Sequence, residues 1–159
     1  MSERPVVNLD ELEPRPEEDR HPEGYRRRLA RVGPLLGAER LGATVYELDA
    51  GQSICPYHYE HGREEWLIVL TGSPLVRTPD GEQRLQPGDV ACYPDGPGGA
   101  HKITNVAAEP LRVLMISTMS EPSLGVYPDS GKIGVWPGGR IFRLTDEVDY
   151  FLGETEADG

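Results

Sequence analysis

The sequence predicts an all-β protein, and three observations lead there. Nineteen glycines and fifteen prolines among 159 residues supply turns at a density that suits many short strands better than helices. The apolar residues fall in short runs, and 44–48 and 65–71 follow the period of two that turns successive side chains to opposite faces. The third observation is chemical: His58, Glu60, Glu65 and His101, all able to bind a metal ion, stand at the ends of such runs.

In chain order, residues 1–24 read as an N-terminal arm, because 10–23 mix acidic residues, arginine and proline and are too polar and too broken for regular structure. A strand of long basic residues begins at Tyr25 and stops at Gly33 and Pro34. The core of the fold spans about 40–120, with strands at 44–48, 54–60 and 65–71. Segments 74–78 and 82–85 flank Pro79, Asp80 and Gly81, which carry strong hairpin-turn chemistry. Pro87, Gly88 and Asp89 make the next tight turn, before strands at 90–93, 101–106 and 111–118. Residues 120–159 form a C-terminal extension, turn-rich and with little periodicity, expected to be irregular like the arm. Its apolar residues Tyr127, Ile133, Val135, Trp136 and Phe142 need a surface to cover, either the outer wall of the fold or its mouth, and packing on the wall is the commoner outcome. The length supports one domain over 1–159.

A net charge of −11, with no basic stripe to release counterions, disfavours binding that depends on neutralising phosphates, so no nucleic-acid partner is expected. Arg26, Arg27 and Arg28 form one basic cluster, read as a solvated strand edge or as local partners for acidic neighbours. Two cysteines, Cys55 and Cys92, are too few for a disulfide scaffold and read as buried free thiols. A thiol ligand would soften a metal site's preference, and Cys92 is the one to watch. No run approaches the ~18 apolar residues of a membrane span, so no membrane partner and a cytoplasmic location are expected.

The spacing of the ligand-type residues has a geometric meaning. His58 and Glu60, two apart on a strand, share a face, and a tight turn at Gly62 returns the chain to put Glu65 beside them. His101 arrives from a later strand across a Gly/Pro-rich bend. Glu60 and Glu65 at close range would share a proton, which makes Glu60 a candidate catalytic acid or base as well as a ligand. His61 reads as a rim residue and Glu64 as outward-pointing. Tyr46, Leu67, Val69 and Ile103 fall at inward positions, for a narrow and mostly apolar cavity. Trp66, Ile68 and Leu70 project the other way and call for cover from a second subunit, hence a homodimer, or from the terminal segments.

These segments resemble the paired motifs of the cupin superfamily, as found in small single-domain bacterial cupins of the cupin 2 type. In the first motif Gly51 stands one residue early, His58 matches the first histidine, Glu60 stands where the second histidine would be, and Glu65 and Gly72 match the rest. In the second, Gly88, Pro94, Gly96, His101 and Asn105 match, with two extra residues before the histidine. The resemblance covers about 40–120. It implies a double-stranded β-helix, or jelly-roll cupin barrel, with a metal in its mouth held by His58, Glu60, Glu65 and His101.

Two anionic and two neutral ligands would cancel a divalent charge and favour Fe or Mn, with Zn or Ni also accommodated. The resulting expectation is a metal-binding protein acting on a small molecule, with dioxygenase-type chemistry leading and isomerase or decarboxylase activity nearby by analogy. The alternative is a non-catalytic cupin, metal-free or not, that binds or senses a small ligand.

Overall fold

Backbone pairing turns the alternating runs into two facing walls. The structure is a computed structural model that describes residues 5–17 and 21–154. In chain order its strands are β1 (Arg15–Pro16), β2 (Arg28–Arg31), β3 (Leu41–Leu48), β4 (Tyr59–His61), β5 (Glu65–Thr71), β6 (Leu75–Thr78) and β7 (Gly81–Arg84). They continue with β8 (Val90–Tyr93), β9 (Lys102–Thr104), β10 (Leu111–Thr118), β11 (Ser123–Tyr127), β12 (Lys132–Trp136) and β13 (Arg140–Arg143). One four-residue helical turn, Val32–Leu35, links β2 to β3. The predicted all-β class is the observed one.

The first wall is an antiparallel six-stranded sheet in the order β1-β2-β3-β10-β5-β8. The second is assembled from two pieces, β13-β12-β11-β4 and β7-β6-β9. Isolated antiparallel bridges, Ser53 to Thr104 and His58 to His101, join the pieces. Between the walls lies the core. Leu48, Leu67, Leu111 and Val113 are fully buried there, each contributing roughly 1.5–3 kcal/mol by leaving water.

Asn105 has a structural task. Wholly buried, it donates its amide to the carbonyls of Leu48 and Glu109 at 2.9 and 2.8 Å and accepts from the Ala107 backbone at 3.0 Å. It closes the loop into β10 without leaving a buried polar atom unpaired.

Three expectations need correction. The C-terminal segment holds three strands rather than an irregular coil: β11 pairs with both β4 and β12, and β12 with β13. Glycines and prolines mask the pattern, and the open edge of β4 supplies the pairing that propensity does not. The strand expected over 54–60 is regular only at Tyr59–His61, since the preceding residues bend to reach β9 through single bridges. Cys92 is exposed, not buried, because it pairs with Trp66 on the outward side of the first wall. The basic cluster behaves as expected: Arg26 pairs with Glu23, Arg27 with Glu17, and Arg28 with Glu47 and Asp49. The arm is tied down by short pairings, β1 on β2 and the Arg112 guanidinium on the carbonyls of Leu9 and Leu12. No helix among the described residues is long and apolar enough to cross a membrane.

Candidate metal centre

The backbone brings the two histidines together before any side chain does. His58 and His101 are opposed in an antiparallel bridge, the amide of each donating to the carbonyl of the other at 3.2 and 2.8 Å. Cross-strand partners share a face, so both imidazoles enter the cavity between the walls, at 6% and 2% exposure. The loop before His101 makes this approach possible through Gly99. A Cβ there would lie 1.9 Å from the Pro94 carbonyl oxygen, a contact no other residue tolerates. At the other end Gly62, at φ +85°, makes the turn that returns the chain toward Glu65.

Each imidazole is then oriented by its own loop. His58 Nδ1 lies 3.0 Å from the Pro56 carbonyl and His101 Nδ1 lies 2.9 Å from that of Gly99. A carbonyl only accepts, so both Nδ1 atoms carry hydrogen and both Nε2 lone pairs point into the cavity. There they meet Glu65, whose Oε2 is 3.4 Å from His101 Nε2 and 3.9 Å from His58 Nε2. The Tyr93 ring stacks on His101 at 3.8 Å, and Tyr127 of β11 lies near-parallel to His58 at 5.7 Å. The imidazoles are thereby held in plane as well as in direction.

His58, Glu65 and His101 each offer a ligand atom within 4.8 Å of the other two. Two imidazoles and a carboxylate suit a divalent first-row ion, and Nδ1–H bonds to backbone carbonyls are the usual outer support of such ligands. This cluster could hold a metal ion. Glu60 lines the same cavity but stands outside that cluster, its Oε2 buried, without a hydrogen bond, and 3.8 Å from Arg63 Nε. The structure therefore gathers three of the four expected ligands tightly and sets the fourth carboxylate at the edge.

The electrostatics follow from burial. Desolvation, with the Glu60 charge added, raises the Glu65 carboxyl to about 7 against the opposing pull of His58 and Arg63. Desolvation, with His58 nearby, lowers His101 to about 4, and its bond to Gly99 opposes this. Over the mildly acidic range Glu65 therefore holds its proton while His101 stays neutral. The Cys55 thiol, which also lines the cavity, is pushed by burial to about 12 and stays protonated. The thiol near the site is therefore Cys55, whereas Cys92 lies outside.

Other placements agree with the spacing argument. His61 is exposed beside Asp95 at 3.2 Å, and Glu64 faces outward and accepts from Trp66 Nε1 at 3.1 Å. Tyr46 and Ile103 line the cavity of about 160 Å³, while Leu67 and Val69 belong to the core. The cavity is more polar than expected, because Arg27 and Cys55 also face it. The sequence pattern names neither Arg27 nor Tyr127 as a site residue: it reads Arg27 only with its basic neighbours, and Tyr127 only as an apolar residue needing a surface, whereas Arg27 lines the cavity and Tyr127 lies against His58.

A cupin-type barrel with a candidate metal centre in its mouth is thus what fold and site define. Residues 44–117 match the family model described as the cupin domain, and the chain belongs to the cupin superfamily. Among solved structures, a protein of Acidithiobacillus ferrooxidans provisionally named a sugar phosphate isomerase superposes with a TM-score of 0.81 at 20% identity, over 92% of this chain and 96% of its own. A sugar phosphate isomerase of the cupin superfamily from Silicibacter pomeroyi gives 0.78 at 22%, over 92% and 98%. A polyketide cyclase from Streptomyces resistomycificus gives 0.59 at 20%, over 99% and 96%. Identities this low carry the fold alone. No curated protein matches the sequence.

Proposed function

We propose that the chain is a metal-dependent cupin enzyme that moves a proton on a small-molecule substrate, in the manner of an isomerase. The observation that carries this reading is the pair of buried imidazoles, each fixed at Nδ1 and aimed at Glu65, beside a second carboxylate that remains free of hydrogen bonds at Oε2. A divalent ion on His58, Glu65 and His101 would polarise a bound carbonyl or hydroxyl group as a Lewis acid. Glu60 then has the position of a general base. It takes a proton from a carbon that bears hydroxyl, next to a carbonyl, and returns it to the former carbonyl carbon, while the hydroxyl proton passes between the two oxygens. The electron pair moves within the substrate and no oxidant is consumed. Arg63 lies beside Glu60, with Nε 3.8 Å from Glu60 Oε2. The names of the two sugar phosphate isomerases that superpose over nearly the whole chain agree with this class of reaction.

A dioxygenase is the second reading, favoured by the two-histidine, one-carboxylate set itself, which leaves open positions on an Fe(II) ion. Metal analysis after chelator-free purification tests what both readings share: stoichiometric Fe, Mn, Zn or Ni is expected, and a metal-free protein sinks both. Deuterium uptake from heavy water into a panel of hydroxy-carbonyl compounds separates them. The isomerase reading expects uptake without oxygen consumption, reduced on the order of 100-fold or more in Glu60→Gln; oxygen consumption without uptake selects the dioxygenase.

A further inference from the structure

Strand β2 turns its two faces to different tasks. Arg28 points outward to Glu47 and Asp49, whereas Arg27 and Arg31 lie on the side of Leu29, which pairs with Tyr46 of the cavity wall. Arg27 is already engaged. It donates to Glu17 at 2.7 Å and to the Ile54 carbonyl, and it covers the face of Tyr46 at 5.3 Å. Arg31 is different. It lines a second cavity of about 180 Å³ together with Thr44, Tyr46, Glu65 and Ser117, and it has no ion-pair partner among the described residues.

The second cavity shares Tyr46, Glu65 and Met115 with the first, so the two abut at the candidate metal ligand. Each alone is below the ~300 Å³ at which small-molecule sites begin, and the residues they share form the boundary between them. In a chain of net charge −11 most of the surface repels anions. A guanidinium without a counter-ion, opening on such a cavity beside three hydroxyl-bearing side chains, is a local exception. Its planar fork of donors matches an oxyanion.

We propose that Arg31 anchors the oxyanion end, a phosphate or a carboxylate, of a hydroxylated small molecule whose other end reaches the centre at His58, Glu65 and His101. Thr44, Ser117 and Tyr46 are the hydroxyls along its path. This rests on the reading of that centre as the reacting site, and it adds the substrate's charge and its direction across the two cavities.

The test uses metal-free, chelator-treated full-length protein, so that the anion cannot simply bind a metal. Inorganic phosphate and acetate are titrated separately at constant ionic strength, followed by NMR of Arg31, Thr44 and Ser117. Saturable shifts at these residues are expected with at least one anion, and the tighter of the two identifies the end group. Arg31→Gln should weaken binding about tenfold, Arg31→Lys less, and Arg84→Gln on the exposed hairpin strand β7 not at all. Absence of saturable shifts, or equal affinity in Arg31→Gln and the parent chain, overturns the proposal. Metal content is measured separately on untreated protein. Metal retention without Arg31-dependent anion binding removes this proposal alone; anion binding at Arg31 in a protein that never retains metal supports it and removes the metal reading.

Discussion

The two walls that meet at the cavity set their residues in place by different means. On the histidine wall, direction comes from the backbone: a bridge between His58 and His101 and two loop carbonyls fix both imidazoles with no help from charge. On the facing wall, Glu65 sits at the end of a strand between Tyr93 and Ser117, and burial, not hydrogen bonding, governs its charge. The difference separates two properties that metal sites usually blend. Donor geometry belongs to the loops and proton affinity belongs to the strand, so each should fail independently of the other.

The largest break is expected from His101→Ala, which removes a donor that the backbone had fully oriented. Metal retained after dialysis should fall on the order of 100-fold or more, beyond the loss from an orienting partner. Undiminished occupancy would remove His101 from the centre. Gly99→Ala tests the loop alone, keeping every ligand. Its Cβ cannot coexist with the Pro94 carbonyl at 1.9 Å, so the loop shifts and the carbonyl that orients His101 moves with it. Metal affinity should drop about tenfold, with a lowered melting temperature; a variant matching the parent in both would show that the loop does not orient the imidazole.

The strand side is tested by pH. Glu65 is raised from 4.5 to about 7, so its contribution to metal-free stability is full below about 4.5 and is lost as pH rises toward 7. His101 is lowered from 6.5 to about 4, so its contribution is full above 6.5 and is lost as pH falls toward 4. Between 4.5 and 6.5 the two slopes oppose, and these groups together should leave the melting temperature of the metal-free protein nearly level. His101→Gln removes one slope, and stability should then decline with rising pH across that window. Metal binding requires ionised Glu65, so near pH 6 it should release about one proton and near pH 8 almost none, measured by calorimetry in buffers of different ionisation heat. Release that does not vary with pH would show that Glu65 is not a ligand.

The smallest effect on the site is expected from the outer face of the same strand. Trp66 is 46% exposed and Val90, opposite Ile68 on β8, 57%, and a second copy is the proposed cover. Light scattering should give twice the mass of the chain, and Trp66→Glu should halve it while leaving metal content unchanged. A monomeric parent protein would end the proposal.

Residues whose partners lie on the same alternating run were legible from the sequence. Strands β5, β8 and β10 have the bounds that their period of two suggests, because one face is core and the other is not. His58, Glu65 and His101 were legible for a related reason, since strand parity and turn residues fix which way each points. Glu60 was only half legible. Parity places it in the cavity, but not within the cluster of His58, Glu65 and His101; it lies instead beside Arg63, a turn residue whose direction no period controls. Strands β11 to β13 were not legible, because Gly125, Gly134, Pro128 and Pro137 break the pattern and the order comes from long-range pairing with β4.

The bridge between His58 and His101 has a kinetic meaning. An ion bound there would be held by side chains whose backbones hold each other, so any fluctuation that parts the two amides also pulls two donors off the metal at once. Opening of a single pair of backbone hydrogen bonds, 3.2 and 2.8 Å long, would then set the escape route, and hydrogen exchange at those two amides would run on the same clock as metal loss.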